Sequence, residues 1–149
     1  MEDPLNINVA VGDVDTSIPL LPEADYLCVV QSSSIDPNKE KVGHNWNMKL
    51  GTVDGATDIN GREVRPGFPL FVNNIALQPR DGSTDPSAFR RGIASAIDAI
   101  FGTTKGNRPD FNRGLVDQAV GKTVIAHVVI DEYQGNSMNK VKRLKKATE

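Results

Sequence analysis

The feature that most constrains the fold is a change of hydrophobic period along the chain. Five segments have the alternating or continuous apolar pattern of β-strands. Between the third and the fourth of them, apolar residues recur every three or four positions, as in an amphipathic helix. Turn signals such as Asp54-Gly55 and Asn60-Gly61 fall between strand segments. The predicted strands are 25–35, 44–53, 68–78, 123–133 and 138–145.

The helical segment begins and ends at recognisable capping residues. Asp85 is a suitable N-cap for a helix whose first residue is Pro86, and Gly102 is a suitable terminator. Asn112 is predicted to cap a second, shorter helix that ends near Gly121. The apolar stripe of the first helix comprises Phe89, Ile93, Ala96, Ile97 and Ile100, and that of the second comprises Leu115, Val116 and Ala119.

Three strands, a helical segment and two further strands predict a mainly β protein with helix, in the α+β class. This is the element order of the OB-fold, a five-stranded, partly open barrel whose second and third strands expose a face for oligonucleotides or oligosaccharides. The predicted organisation is an acidic N-terminal arm, 1–22, followed by an OB-fold domain, 23–149, with a basic C-terminal strand and tail. Within the arm, Ile7, Val9 and Val11 alternate in the manner of a short edge strand.

The net charge of −2 conceals two regions of opposite sign. Seven of the 19 acidic residues precede Lys39, whereas all 17 Lys and Arg residues lie at or after it. Residues 1–38 therefore carry −7 and residues 39–149 carry +5. The small overall charge does not exclude a nucleic-acid groove on the basic body of the chain.

The predicted faces of the strands separate core from surface. The first strand has apolar residues on both faces, since Leu27 and Val29 alternate with Cys28 and Val30, which predicts burial on both sides. The second strand has one apolar and one polar face. Its predicted core face comprises Trp46, Met48 and Leu50, and its polar face comprises Asn45, Asn47 and Lys49.

Single-stranded nucleic acid binds to cationic grooves with aromatic rings on which bases stack. The basic body of the chain supplies both kinds of residue on or beside the predicted strands. The candidate DNA-binding residues are Trp46, Lys49, Arg62, Arg65, Phe68, Phe71, Lys122, Tyr133, Lys140, Lys142 and Arg143.

Each candidate also has a structural interpretation. Trp46 shares its face with core residues and is either a core ring or a stacking platform, and the same choice applies to Phe68 and Phe71. Tyr133 stands beside a turn, where a ring either faces solvent or closes the mouth of a barrel. Alternating lysines in the last strand either bind phosphate or protect an exposed sheet edge.

Signatures of catalysis are missing. Gly121-Lys122-Thr123 resembles the end of a phosphate-binding loop, but Val116 stands where that loop requires glycine. His44, His127 and Cys28 lack the spacing of zinc ligands, and a single cysteine excludes an internal disulfide. We therefore expect neither enzymatic activity nor a cofactor or metal.

The chain has no apolar run long enough to cross a bilayer and no signal-peptide pattern at its start, which favours an intracellular protein.

Several segments resemble a family of bacteriophage OB-fold proteins that bind single-stranded DNA. The segments are VDTS (14–17), LP (21–22), GHNW (43–46), DINGREV (58–64), PGFP (66–69), VGK (120–122), DEYQG (131–135) and NKVKR (139–143). The resemblance implies a replication or recombination accessory in the host cytoplasm that coats single strands without sequence preference. Its implied partners are single-stranded DNA, further copies of itself, and phage replication or recombination proteins, without a membrane.

Two hypotheses remain open at this point, with a weaker third. The leading one is a non-enzymatic single-stranded DNA-binding protein. The alternative is a phage structural or protein-interaction module that uses the same small barrel, and the third is an inhibitor of an enzyme or nuclease. Many single-strand binders end in an acidic tail, whereas this chain ends basic and begins acidic. The acidic arm is expected either to compete with DNA for the groove or to contact a neighbouring subunit.

Overall fold

A computed structural model describes residues 8–12, 18–37, 43–79 and 87–147. Strands dominate these residues at 46 %, and the two helices are confined to the stretch between the third and fourth long strands. The elements are β1 (Ala24–Pro37), β2 (His44–Thr52), β3 (Ala56–Thr57), β4 (Glu63–Val64), β5 (Pro69–Ala76), α1 (Ala88–Phe101), α2 (Arg113–Gln118), β6 (Thr123–Tyr133) and β7 (Asn136–Lys146).

The five long strands form one antiparallel sheet in the order β5-β2-β1-β6-β7. Strand β1 connects the two halves of the sheet. Its N-terminal half pairs with β6 and its C-terminal half pairs with β2. The predicted mainly β architecture, with helices between the third and fourth long strands, is confirmed. Within the described residues, the edge strands β5 and β7 pair with one neighbour each, so the sheet is open between them.

Alternation along β2 produces the predicted division into two faces. Trp46, Met48 and Leu50 are all buried, while Lys49 is exposed. The prediction that both faces of β1 are buried is wrong for its outer face. Cys28 is buried, but Leu27 remains 39 % exposed, so the outer face of β1 is not buried at this position.

Helix α1 lies with its apolar stripe on the inner face of the sheet. Ala96, Ile97 and Ile100 join the core, and the helix ends at Gly102 in the left-handed conformation, with φ of 69°. Both features agree with the prediction. The predicted N-cap and first residue, Asp85 and Pro86, lie outside the described residues.

Helix α2 is capped as predicted. The side chain of Asn112 accepts a hydrogen bond of 2.9 Å from the backbone N–H of Leu115. This bond satisfies one of the free donors of the first turn. The predicted inward residues Leu115, Val116 and Ala119 are all buried.

The strands β3 and β4, which sequence periodicity did not reveal, form a small hairpin between β2 and β5. Its organising residue is Asp58, whose carboxylate accepts hydrogen bonds from the backbone N–H groups of Asn60 and Arg62 and from Arg62 Nε at 2.8 Å. Burial alone would raise the pKa of Asp58, but these hydrogen bonds outweigh it and leave the pKa below its ordinary value.

The end of the predicted N-terminal arm is attached to the sheet. Leu21 is fully buried, and its backbone N–H and C=O bond to the side chain of Asn139 in β7 at 2.8 and 2.9 Å. Further out, Val9 and Val11 are exposed and lie in no strand, so the described part of the predicted edge strand does not form. Ile7, the remaining residue of that prediction, lies outside the described residues.

Candidate nucleic-acid interface

The outer faces of β1, β2 and β5 form one polar surface with an exposed aromatic ring. Directly opposite pairs place Ser32 beside Lys49 and Lys49 beside Phe71, and the next row brings in Ser34 and Asn47. Directly paired residues point to the same side of a sheet. We call this surface the polar face. It consists of Ser32, Ser34, Asn47, Lys49, Phe71 and Asn73.

Strand alternation forces the ring of Phe71 outward. Its neighbours Leu70 and Val72 are 3 % and 4 % exposed in the core, whereas Phe71 is 59 % exposed. Lys49 is exposed beside it, and no ion pair holds its ammonium group among the described residues. A solvent-facing ring next to an available cation is the pairing that base stacking and phosphate attraction require.

The opposite end of the polar face is negative. Asp36 accepts hydrogen bonds from Ser34 Oγ at 2.6 Å and from Asn47 Nδ2 at 3.0 Å. These two bonds, first that of Ser34 and then that of Asn47, hold the pKa of Asp36 below its ordinary value. The positive charge of Lys49 and the negative charge of Asp36 therefore lie at opposite ends of this surface.

Trp46 cannot serve as a stacking platform, so its place among the candidate DNA-binding residues is corrected. The side chain is fully buried, its Nε1–H donates to Ser33 Oγ at 2.8 Å, and its ring packs against Phe111 with centroids 5.2 Å apart. Phe68 is half-buried and packs on the same core. Of the three rings weighed from the sequence, Trp46 lies in the core, Phe68 is half-buried against it, and Phe71 is exposed.

The tip of the β6–β7 hairpin carries a second exposed ring. Tyr133 is 62 % exposed and Met138 is 45 % exposed. Pairing of β1 with β6 stops at Val128, so this end of the hairpin extends past β1. Alternation from Val129 places Lys140 on the same side as Tyr133, and its Nζ lies 4.0 Å from an oxygen of Asp131. One side of this hairpin therefore carries an exposed aromatic ring at the tip and, further from the turn, a cation at 4.0 Å from a carboxylate.

Strand β7 presents two adjacent basic residues at a bulge. His127 pairs with Arg143 and Val128 pairs with Val141, which leaves Lys142 as the extra residue. Lys142 and Arg143 are both exposed, and neither makes an ion pair within the described part of the chain. They border the gap between β7, β5 and α1.

The remaining basic candidates are dispersed or already engaged. Arg62 is bound to the buried carboxylate of Asp58, and Arg65 is exposed just before β5. Lys122 lies over the ring of Phe101, with 5.7 Å between Nζ and the ring centroid. The structure thus brings together Lys49 with Phe71 and Lys142 with Arg143, whereas Tyr133 and Lys140 share one side of the β6–β7 hairpin four residue pairs apart.

Sequence reasoning missed a charged cluster that spans three strands. Asp25 in β1 contacts His127 Nδ1 in β6 at 2.7 Å and Lys145 Nζ in β7 at 2.8 Å. Hydrogen bonds from Lys145 and then His127 lower the pKa of Asp25. The partners are 102 and 120 residues from Asp25 in sequence, so no local pattern signals the cluster. It engages Lys145 of the basic last strand in an ion pair.

The described residues contain no group of three or more His, Cys, Asp or Glu side chains arranged to hold a metal ion. Burial raises the pKa of the Cys28 thiol to about 11, which keeps it protonated and unreactive at neutral pH. None of the described helices is long and apolar enough to cross a membrane. Comparison of the sequence with protein-family models and with curated proteins found no match.

Proposed function

We propose that this protein is an OB-fold protein that binds single-stranded DNA without sequence preference. The observation that carries the proposal is the exposed ring of Phe71 directly opposite Lys49 on the polar face. The sheet order β5-β2-β1-β6-β7, with helices inserted before β6, supports the OB-fold, since closure between β5 and β7 would complete its barrel.

The two exposed rings and four exposed cations have complementary roles in this proposal. Phe71 stacks on one base and Tyr133 on another, each worth about 1–3 kcal/mol. Lys49, Lys140, Lys142 and Arg143 neutralise phosphates. A phenyl ring offers the same π-surface to every base, so stacking on Phe71 contributes affinity without selecting a sequence.

The proposed biological role follows the resemblance of the sequence to phage single-strand binders. The protein protects single-stranded DNA in the host cytoplasm during phage replication or recombination. This role requires neither catalysis nor a cofactor, because coating a strand is an equilibrium process.

The proposal is tested by titrating a fluorescein-labelled oligo-dT with wild-type protein and with the Phe71→Ala variant, following anisotropy at low and at moderate salt. Loss of one stacked base should weaken binding roughly 5- to 150-fold. Val120→Ala is the matched control, since Val120 is an exposed apolar residue outside the polar face. Unchanged affinity in Phe71→Ala would remove Phe71 from the site. No binding of wild type at low salt would favour the protein-interaction module.

A further inference from the structure

The gap between the two edge strands is a cavity of about 420 Å³, which we call the seam cavity. Strands β5 and β7 approach each other there without pairing, and α1 lies against both. The cavity floor is apolar, with Val72 and Ile75 from β5, Phe89 from α1 and Val141 from β7. Among the described residues, no strand pairs with β5 or β7 on the side of the cavity, and an unpaired strand edge is the arrangement that accepts an added strand.

The rim of the seam cavity is positively charged. Lys142 and Arg143 border it, and the described lining residues include no carboxylate. The face of α1 toward the cavity is open at Gly92, where an added Cβ would meet no atom within 4 Å. An occupant with the right chemistry is therefore an extended segment with alternating apolar residues and negative charge.

The chain itself contains such a segment. Val9 and Val11 are 66 % and 64 % exposed, although alternation places both on one side of an extended segment. Asp13 and Asp15 follow closely in the sequence. Because both valines face solvent, the segment is not seated in the seam cavity of its own chain, and a second copy offers an equivalent unfilled cavity.

We propose that the segment Asn8–Gly12 of one copy adds as a strand in the seam cavity of a second copy. The valines contact the apolar floor and the backbone groups pair with an edge strand, and the positive rim formed by Lys142 and Arg143 favours a donor segment that the sequence continues with acidic residues. The contact is head-to-tail, since the donor segment and the acceptor cavity are different surfaces. It goes beyond DNA binding and requires no nucleic acid.

Sedimentation velocity of full-length protein without DNA, over a wide range of protein concentration, tests this proposal. Wild type and Gly92→Ala should associate, because an alanine at this position leaves the cavity open. Gly92→Leu fills the cavity, and the double variant Val9→Asp with Val11→Asp disables the donor segment. Self-association of each variant should be at least about tenfold weaker than that of wild type. Far-UV circular dichroism verifies folding, and Ser95→Leu, which fills the same cavity, replaces Gly92→Leu if that variant does not fold.

Mixing the two disabled variants gives the decisive measurement. Gly92→Leu retains an intact donor segment and the double aspartate variant retains an open cavity. At a protein concentration at which each variant alone is monomeric, the mixture should therefore form heterodimers. Monomeric wild type, equal association of Gly92→Leu and Gly92→Ala, or an absence of heterodimers would each overturn the proposal. None of these outcomes affects the test of DNA binding by Phe71→Ala.

Discussion

At the scale of single residues, the parity of a strand position decides which aromatic ring meets solvent. Trp46 and Phe71 lie on neighbouring strands, and Trp46 stands between two asparagines whereas Phe71 stands between two apolar residues. Trp46 shares its parity with Met48 and Leu50, which face the core, whereas Phe71 falls between the inward residues of β5. The larger ring is therefore buried with its N–H satisfied by Ser33, and the smaller ring remains on the surface.

The burial of Trp46 predicts its fluorescence. Because this single tryptophan is fully buried and its indole N–H is bonded within the core, its emission should be blue-shifted and resistant to acrylamide quenching. Titration with oligo-dT should leave the emission intensity nearly unchanged, since no base reaches the ring. Strong quenching by acrylamide in the native protein would contradict the burial.

At the scale of elements, register irregularities in three pairs of the described strands shape the outer surface of the sheet. Register shifts in the pairs β1–β2, β2–β5 and β6–β7 place extra residues at Gln31, at Asn73-Asn74 and at Lys142. A bulge turns two consecutive residues away from strict alternation. This explains why Asn73 and Asn74 are both exposed within β5, and why Lys142 and Arg143 are both exposed in β7.

Two glycines at helix α1 predict stability changes of opposite sign. Gly92 lies in the helix with open space around it, so Gly92→Ala should stabilise the fold by roughly 0.5–1 kcal/mol. Gly102 has φ of 69°, in the left-handed region that disfavours side chains with a Cβ atom. Gly102→Ala should therefore destabilise the fold by about 1–2 kcal/mol. Urea denaturation followed by circular dichroism measures both. Equal effects of the two substitutions would show that Gly102 has no special backbone role.

At the scale of the whole molecule, the charge is divided between the N-terminal region and the body. All 17 basic residues lie at or after Lys39, and ion pairs already engage several of them, including Arg62, Arg108 and Lys145. The cations available to a ligand are fewer than the basic count indicates. Binding of single-stranded DNA should accordingly depend on salt through a small number of phosphate contacts.

A pair of lysine variants measures one of these contacts. Each phosphate contact with a single strand contributes about −0.7 to the slope of log K against log salt concentration. Lys49→Ala should make the slope shallower by about that amount. Lys105→Ala removes the same charge from an exposed position between the helices and should leave the slope unchanged. Identical slopes for the two variants would remove Lys49 from the contact set.

The sequence by itself determined the elements of this protein. Period-two and period-3.6 patterns locate all five long strands and both helices, and Gly102 and Asn112 mark their termini, because these signals depend on neighbouring residues. It also separated the two faces of β2. The short β3–β4 hairpin escaped prediction because two-residue strands are too short to show a period.

Only the tertiary structure decided which candidates share a surface. The choice between core and surface for Trp46, Phe68 and Phe71 depends on which face of each strand is covered by another layer, and local pattern does not contain that information. Likewise, the pairing of Asp25 with Lys145 and the seam cavity between β5 and β7 arise from residues distant in sequence. Such contacts form only when the sheet is assembled, since strand order and register set the distances between side chains.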